Sequence, residues 1–183
     1  MRIEPLAIAD IRLLTPAKFG DARGFLSEVY KRETLAAAGI DVEFVQDNHT
    51  YTQAAGTVRG LHYQVPPCGQ AKLIRVIGGA ILDVAVDLRR GSPSFGKHVG
   101  ARLSAEAWNQ LFIPEGFAHG FCTLEADTEV VYKLSRPYAP AQERGIRWDD
   151  PALAIAWPVT AAAAIVSDRD RRLPRLAEQP DLL

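Results

Sequence analysis

The chain has 183 residues, enough for one domain with a sizeable core, and its 21 Lys and Arg against 22 Asp and Glu leave a formal charge of -1. That balance argues against a nucleic-acid binder, which carries a basic excess or stripe, yet local clusters of cations could still meet a small anion. The two cysteines, Cys68 and Cys122, lack CxxC or Cys/His spacing; they fit reduced thiols in a cytoplasmic protein better than a disulfide framework or a zinc site.

The N-terminal stretch MRIEPLAIADIRLLTP has charges scattered through it, so neither a signal peptide nor a membrane span is expected. Period-2 patterning predicts strands at Phe25 to Tyr30, Glu43 to Thr52, Thr57 to Gln64, Ala71 to Ile77 and Ala80 to Leu88. It continues at Gly100 to Leu103, Gln110 to Ile113, Ala118 to Thr123 and Glu129 to Leu134. Gly78-Gly79 reads as a hairpin between two of these runs. A helix is expected over Arg32 to Ala38, capped by Gly39. Many short strands between Gly/Pro turns predict an all-β sandwich or jelly roll. One domain is expected over 1-183: an N-terminal arm to about 45, a core to about 150 and a C-terminal covering segment from about 151.

His62 lies in Arg59-Gly60-Leu61-His62-Tyr63-Gln64, where alternation puts it on one face with Gly60 and Gln64. A strand histidine alone is more often a hydrogen-bonded structural residue than a catalyst. Arg59 has the wrong parity to join it unless Gly60 allows a bulge. In the next run, Lys72 has the parity of Ile74 and Val76, so either this cation points inward to meet an anion or carbonyl oxygen, or the strand is an edge with two wet faces. Tyr132 has the parity of Val130; it is a packing residue or a proton donor to a pocket. Tyr138 follows Arg136-Pro137 in a loop, where an aromatic can stack on a planar ligand. An Asp behind one imidazole nitrogen would fix the tautomer, and Asp170 is a candidate, although its spacing does not show that it reaches His62.

Pro114-Glu115-Gly116-Phe117-Ala118-His119 resembles the second box of the cupin superfamily, where the histidine often binds a metal. The place of the first box reads His62-Tyr63-Gln64 without a second histidine, a poor donor set for zinc or iron, which suggests a cupin barrel without its metal.

Taken together, the motifs resemble one family, the dTDP-4-dehydrorhamnose 3,5-epimerases. The matching pieces are Phe19-x-Asp21-x-Arg23-Gly24-Phe25 with Glu28, QDNHTYTQAAGTVRGLHYQ, Gln70-Ala71-Lys72, DVAVDLRRGSPSFG, IPEGFAHGF, Tyr132-Lys133, Tyr138-x-Pro140, Trp148-Asp149-Asp150-Pro151 and Ser167-x-Arg169-Asp170. The resemblance implies a metal-free cupin-type jelly roll, a homodimer and a reaction without cofactor: inversion at C3 and C5 of a 6-deoxy-4-keto sugar carried on dTDP. It implies His62 as base, Asp170 as its partner, Tyr132 as acid on the opposite face, Lys72 near the C4 oxygen and His119 lining the site. Phe19, Arg23, Glu28, Gln46, Asp47, Asn48, Arg59, Glu143 and Arg169 match positions that hold the nucleotide sugar, and Tyr138 the one that stacks on thymine. Some of these contacts are expected from the neighbouring subunit. Arg169 departs from the lysine commoner there, which keeps the charge and changes the donor geometry. The alternatives are a mono-epimerase inverting only C3 or only C5, a metal-dependent cupin oxygenase and a non-catalytic sugar- or nucleotide-binding cupin.

Overall fold

The computed structural model describes residues 1-180 and 182. In chain order the elements are β1 (Arg2–Pro5), β2 (Arg12–Thr15), β3 (Phe19–Asp21), β4 (Gly24–Leu26), α1 (Arg32–Ala37), β5 (Gln46–Thr52), β6 (Thr57–Gln64) and β7 (Lys72–Gly78). There follow β8 (Ala80–Asp87), β9 (His98–Ser104), β10 (Gln110–Ile113), β11 (Phe117–Thr123), β12 (Thr128–Leu134), β13 (Glu143–Gly145), β14 (Ile165–Val166) and α2 (Asp168–Arg171). Two facing sheets run in the orders β1-β2-β10-β7-β12-β5 and β13-β6-β11-β8-β9, with β14 parallel to β6, and β3 and β4 pair apart from them as a two-stranded sheet. This is a jelly roll. No helix among the described residues is long and apolar enough to cross a membrane.

Alternation sorts the side chains into three apolar layers. Ile74, Val76, Ile81, Ala85, Phe117, Phe121 and Val130 fill the space between the sheets. Leu61, Tyr63, Val84 and Val86 point the other way and are covered by Ile146 and Leu153 of the C-terminal part. Leu73 and Phe112, on the outer face of the first sheet, are covered by Leu35 and Ile40. The helix α1 is short, and its end explains the glycine. Gly39 has φ +83, and the Ile40 N–H reaches back to the Leu35 carbonyl, closing a left-handed cap.

Two expectations need correction. Gly78-Gly79 is not a hairpin: β7 pairs with β10 and β12, whereas β8 pairs with β11 and β9 in the opposite sheet. Gly79, at φ +74, carries the chain across the sandwich corner, and a Cβ there would sit 2.4 Å from Thr128 Oγ1. The run Phe25 to Tyr30 is not one strand either. β4 stops at Leu26, because Ser27 Oγ accepts the Trp108 indole N–H at 2.9 Å and the Val29 carbonyl accepts from the Gln110 amide at 2.9 Å. The short, polar β1 and the three-residue β13 carry too little alternation to be read in advance, yet both are paired in the sheets.

Candidate active site

His62 reaches the space between the sheets because its neighbours Leu61 and Tyr63 fill the layer behind. Arg59 joins it through a bulge. Between the partner pairs His119↔His62 and Phe121↔Arg59, β6 uses three steps where β11 uses two. Gly60 makes this possible: it has φ +119, and a Cβ there would lie 2.6 Å from Gly120 Cα and 2.7 Å from the His119 carbonyl oxygen. The parity objection to Arg59 is removed by one glycine.

Asp170 meets His62 across a long stretch of chain. Its Oδ1 lies 2.7 Å from His62 Nε2, and its Oδ2 accepts the Gly60 N–H at 3.1 Å. The carboxylate is placed by α2, whose N-cap Ser167 accepts the Asp170 N–H at 3.1 Å. Burial disfavours its charge, but the His62 hydrogen bond and the His62 charge outweigh this and hold the carboxyl below its ordinary range. An ionised Asp170 only accepts, so Nε2 of His62 carries the proton and Nδ1 is left to take one.

Lys72 is buried on β7, an interior strand between β10 and β12, so the edge-strand reading falls away. Its Nζ donates to the His62 carbonyl at 3.4 Å. Burial pushes its pKa down to about 8, against the opposing pull of the Asp83 and Glu143 charges. His119, the cross-strand partner of His62, bonds through Nε2 to Asp83 Oδ1 at 2.6 Å. Burial lowers its pKa too, despite Asp83.

Tyr132 approaches from the other sheet. It packs against the central core, and its hydroxyl accepts from Asn48 Nδ2 at 3.1 Å. Asn48 Oδ1 in turn accepts from Gln46 Nε2 at 2.8 Å, and Gln46 Oε1 accepts the Tyr138 N–H at 3.0 Å. His62, Lys72 and Tyr132 line both a cavity of about 510 Å³, which also holds Arg59, His119, Arg169 and Asp170, and an adjoining one of about 320 Å³, which holds Gln46, Asn48, Tyr138 and Glu143. Between the lobes, Glu143 accepts from the Tyr138 hydroxyl at 2.5 Å and pairs with Arg169. Burial of Glu143 opposes its charge; the bonds from Tyr138 and Arg169 prevail and keep it below its usual value.

The remaining predicted residues lie elsewhere. Asp47 is on the opposite face of β5 from Gln46 and Asn48, paired with Lys133 at 2.9 Å. Phe19 and Arg23 sit on the exposed β3–β4 hairpin, where Arg23 pairs with Asp21, and Glu28 is exposed in the segment that follows. None of these lines either lobe in a single chain. Asp83 was missed. Its signal was present in Ile81-x-Asp83-x-Ala85, a charge in the file of residues that fills the core. Among the described residues, no group of three or more His, Cys, Asp or Glu could hold a metal ion.

The family model described as dTDP-4-dehydrorhamnose 3,5-epimerase matches residues 5–178. A Sinorhizobium fredii protein named dTDP-4-dehydrorhamnose 3,5-epimerase is 48% identical over 98% of this chain and 92% of its own. The crystal structure of a protein so named from Bacillus anthracis, with TDP and PPi bound, superposes at a TM-score of 0.92 with 48% identity, covering 95% of this chain and 98% of that one. A dTDP-6-deoxy-D-glucose-3,5-epimerase structure from Legionella pneumophila, in complex with dTDP-4-keto-L-rhamnose, gives 0.91 with 40% identity over 97% of this chain and 93% of that one.

Proposed function

The chain belongs to the dTDP-4-dehydrorhamnose 3,5-epimerase family, and from that premise we propose that it inverts C3 and C5 of dTDP-4-dehydro-6-deoxy-D-glucose to give dTDP-4-dehydro-L-rhamnose. Both carbons flank the C4 ketone, so each C–H bond can ionise when the enolate oxygen is stabilised. His62 Nδ1 takes the proton, and Asp170 stabilises the imidazolium through Nε2. The Lys72 ammonium stands by for the enolate oxygen. Tyr132, arriving from the opposite sheet, delivers a proton to the other face, and solvent restores both groups before the second carbon reacts. One proton leaves and one returns at each centre, so the oxidation level does not change and no redox cofactor is required.

The observation that best supports this reading is that the His62–Asp170 pair and Tyr132 enter one space from facing sheets with Lys72 beside them. Arg59 and Arg169 suit the diphosphate, and Tyr138, half exposed at the mouth, suits the thymine ring. We further propose a homodimer in which Phe19, Arg23, Glu28 and Asp47 serve the neighbouring copy's nucleotide. The exposed Phe19, Phe25 and Leu26 of the hairpin favour such a contact. Proton NMR of the purified enzyme with dTDP-4-dehydro-6-deoxy-D-glucose and a chelator tests the reaction. Couplings reporting inversion at both carbons are expected; an unchanged sugar, or inversion at one carbon only, would contradict it.

A further inference from the structure

Asp83 is an expensive residue to place where it is. It lies on β8 between Ile81 and Ala85 in the layer that fills the sandwich, and it has no exposed surface. An aliphatic residue there would stabilise the core by its burial, whereas a carboxylate must be compensated. Its Oδ1 is compensated by His119 at 2.6 Å. Its Oδ2 is buried and has no hydrogen-bond partner among the described residues, a condition shared there only by Arg75 Nε on the outer face. Lys72 on β7 belongs to the same cluster: its Nζ donates to the carbonyl of His62, the cross-strand partner of His119, and both Lys72 and His119 line the larger lobe. It is the buried cation whose protonation Asp83 favours.

We propose that Asp83 is a positioning residue for the epimerisation: Oδ1 orients His119, and the buried carboxylate, one side of it left unpaired, holds the Lys72 ammonium ready beside the C4 oxygen of a bound 4-keto sugar. The role in turnover rests on the epimerase reading; the coupling to Lys72 does not. With Nε2–H committed to Asp83, a neutral His119 cannot donate from Nδ1, so Lys72 is left as the donor to the enolate oxygen. Its charge therefore has to survive burial. Of the other ionisable groups, Glu143 also favours that charge from β13. His62 and Tyr132 line the same space from β6 and β12, while Arg59, Arg169 and Asp170 lie along the larger lobe. Asp83 is the carboxylate among them that is wholly buried and half unpaired.

The test is the titration of Lys72 in the unliganded full-length enzyme, read by NMR of ¹³C-labelled lysine side chains with the resonance assigned from Lys72→Met. Asp83→Asn keeps the shape and an acceptor for His119 while removing the charge; Asp83→Ser replaces it should the Asn variant not fold. The neutral variant is expected to move the Lys72 midpoint down by about one unit or more, and the alkaline limb of solvent exchange into substrate with it. Asp83→Glu, which retains the charge, is expected to restore most of the shift. An unmoved midpoint in the neutral variant, or an equal fall in the neutral and Glu variants, would overturn the proposal. If the wild-type enzyme exchanged no substrate proton, the epimerase reading would fail while the Lys72 titration still decided this one.

Discussion

His62 and Asp170, 108 residues apart, are joined at 2.7 Å from Nε2 to Oδ1, and the second carboxylate oxygen ties down the Gly60 N–H two residues before the imidazole. The same aspartate thus sets both the tautomer of the histidine and the backbone that carries it. Asp170→Asn, its oxygen kept by the Gly60 N–H, would present an amide N–H to Nε2, move the imidazole proton to Nδ1 and block the nitrogen proposed to accept from the sugar. Turnover should fall by roughly 10² to 10⁴ with dTDP affinity retained. A loss of less than about tenfold, measured by NMR turnover, would detach Asp170 from the base.

Gly60 supports the site sterically. Gly60→Ala puts a methyl group against Gly120 and the His119 carbonyl, backbone atoms held in β11, at a φ of +119. A cost of about 3 kcal/mol or more in urea unfolding is expected, together with loss of activity as Arg59 and His62 lose their shared face. A well-folded Ala variant with a cost under about 1 kcal/mol would show that the bulge relaxes freely.

Lys72 is expected to set an alkaline limit on turnover. Its folded pKa of about 8 is depressed mainly by burial, with Asp83 and Glu143 opposing, so the ammonium is present below that pH and lost above it. Exchange should decline as pH rises through about 8. The sign for stability is the reverse. The unfolded lysine keeps its proton up to about 10.5, so this group's contribution to stability rises between the two values. Lys72→Arg, charged throughout, should erase the limb at reduced rate. An identical limb in the Arg variant would assign it to another group.

Tyr132 is expected to separate two events. Tyr132→Phe removes the hydroxyl that Asn48 contacts but leaves His62, Asp170 and Lys72 in place. Proton loss to solvent should persist while net inversion falls by roughly 10² or more. Equal loss of exchange and inversion would show that the phenol is not the second proton carrier.

Much of this was legible in the chain because a strand alternates strictly. Alternation gives Lys72 the parity of Ile74 and Val76 and sets Leu61 and Tyr63 on the face away from His62; that the Lys72 file points into the sandwich follows only from β7 lying between β10 and β12. What alternation cannot report is which strands pair. Gly78-Gly79 looks the same whether the next strand folds back beside β7 or crosses to the facing sheet, and contacts such as that of Thr128 Oγ1 with the corner are nonlocal. The same holds for Asp170, whose reach to His62 depends on β14 docking parallel to β6. Asp83 was readable but hidden within an apolar run that pattern reading absorbs as strand.

Solvent deuterium uptake in D₂O is the most direct check on the central claim that a single imidazole–phenol pair works on both carbons beside the ketone. Incubating the enzyme with dTDP-4-dehydro-6-deoxy-D-glucose should place deuterium at C3 and C5 and at no other ring carbon, and His62→Ala should bind dTDP yet place it at neither. Persistent labelling in the His62→Ala enzyme, or none in the wild type, would contradict the account.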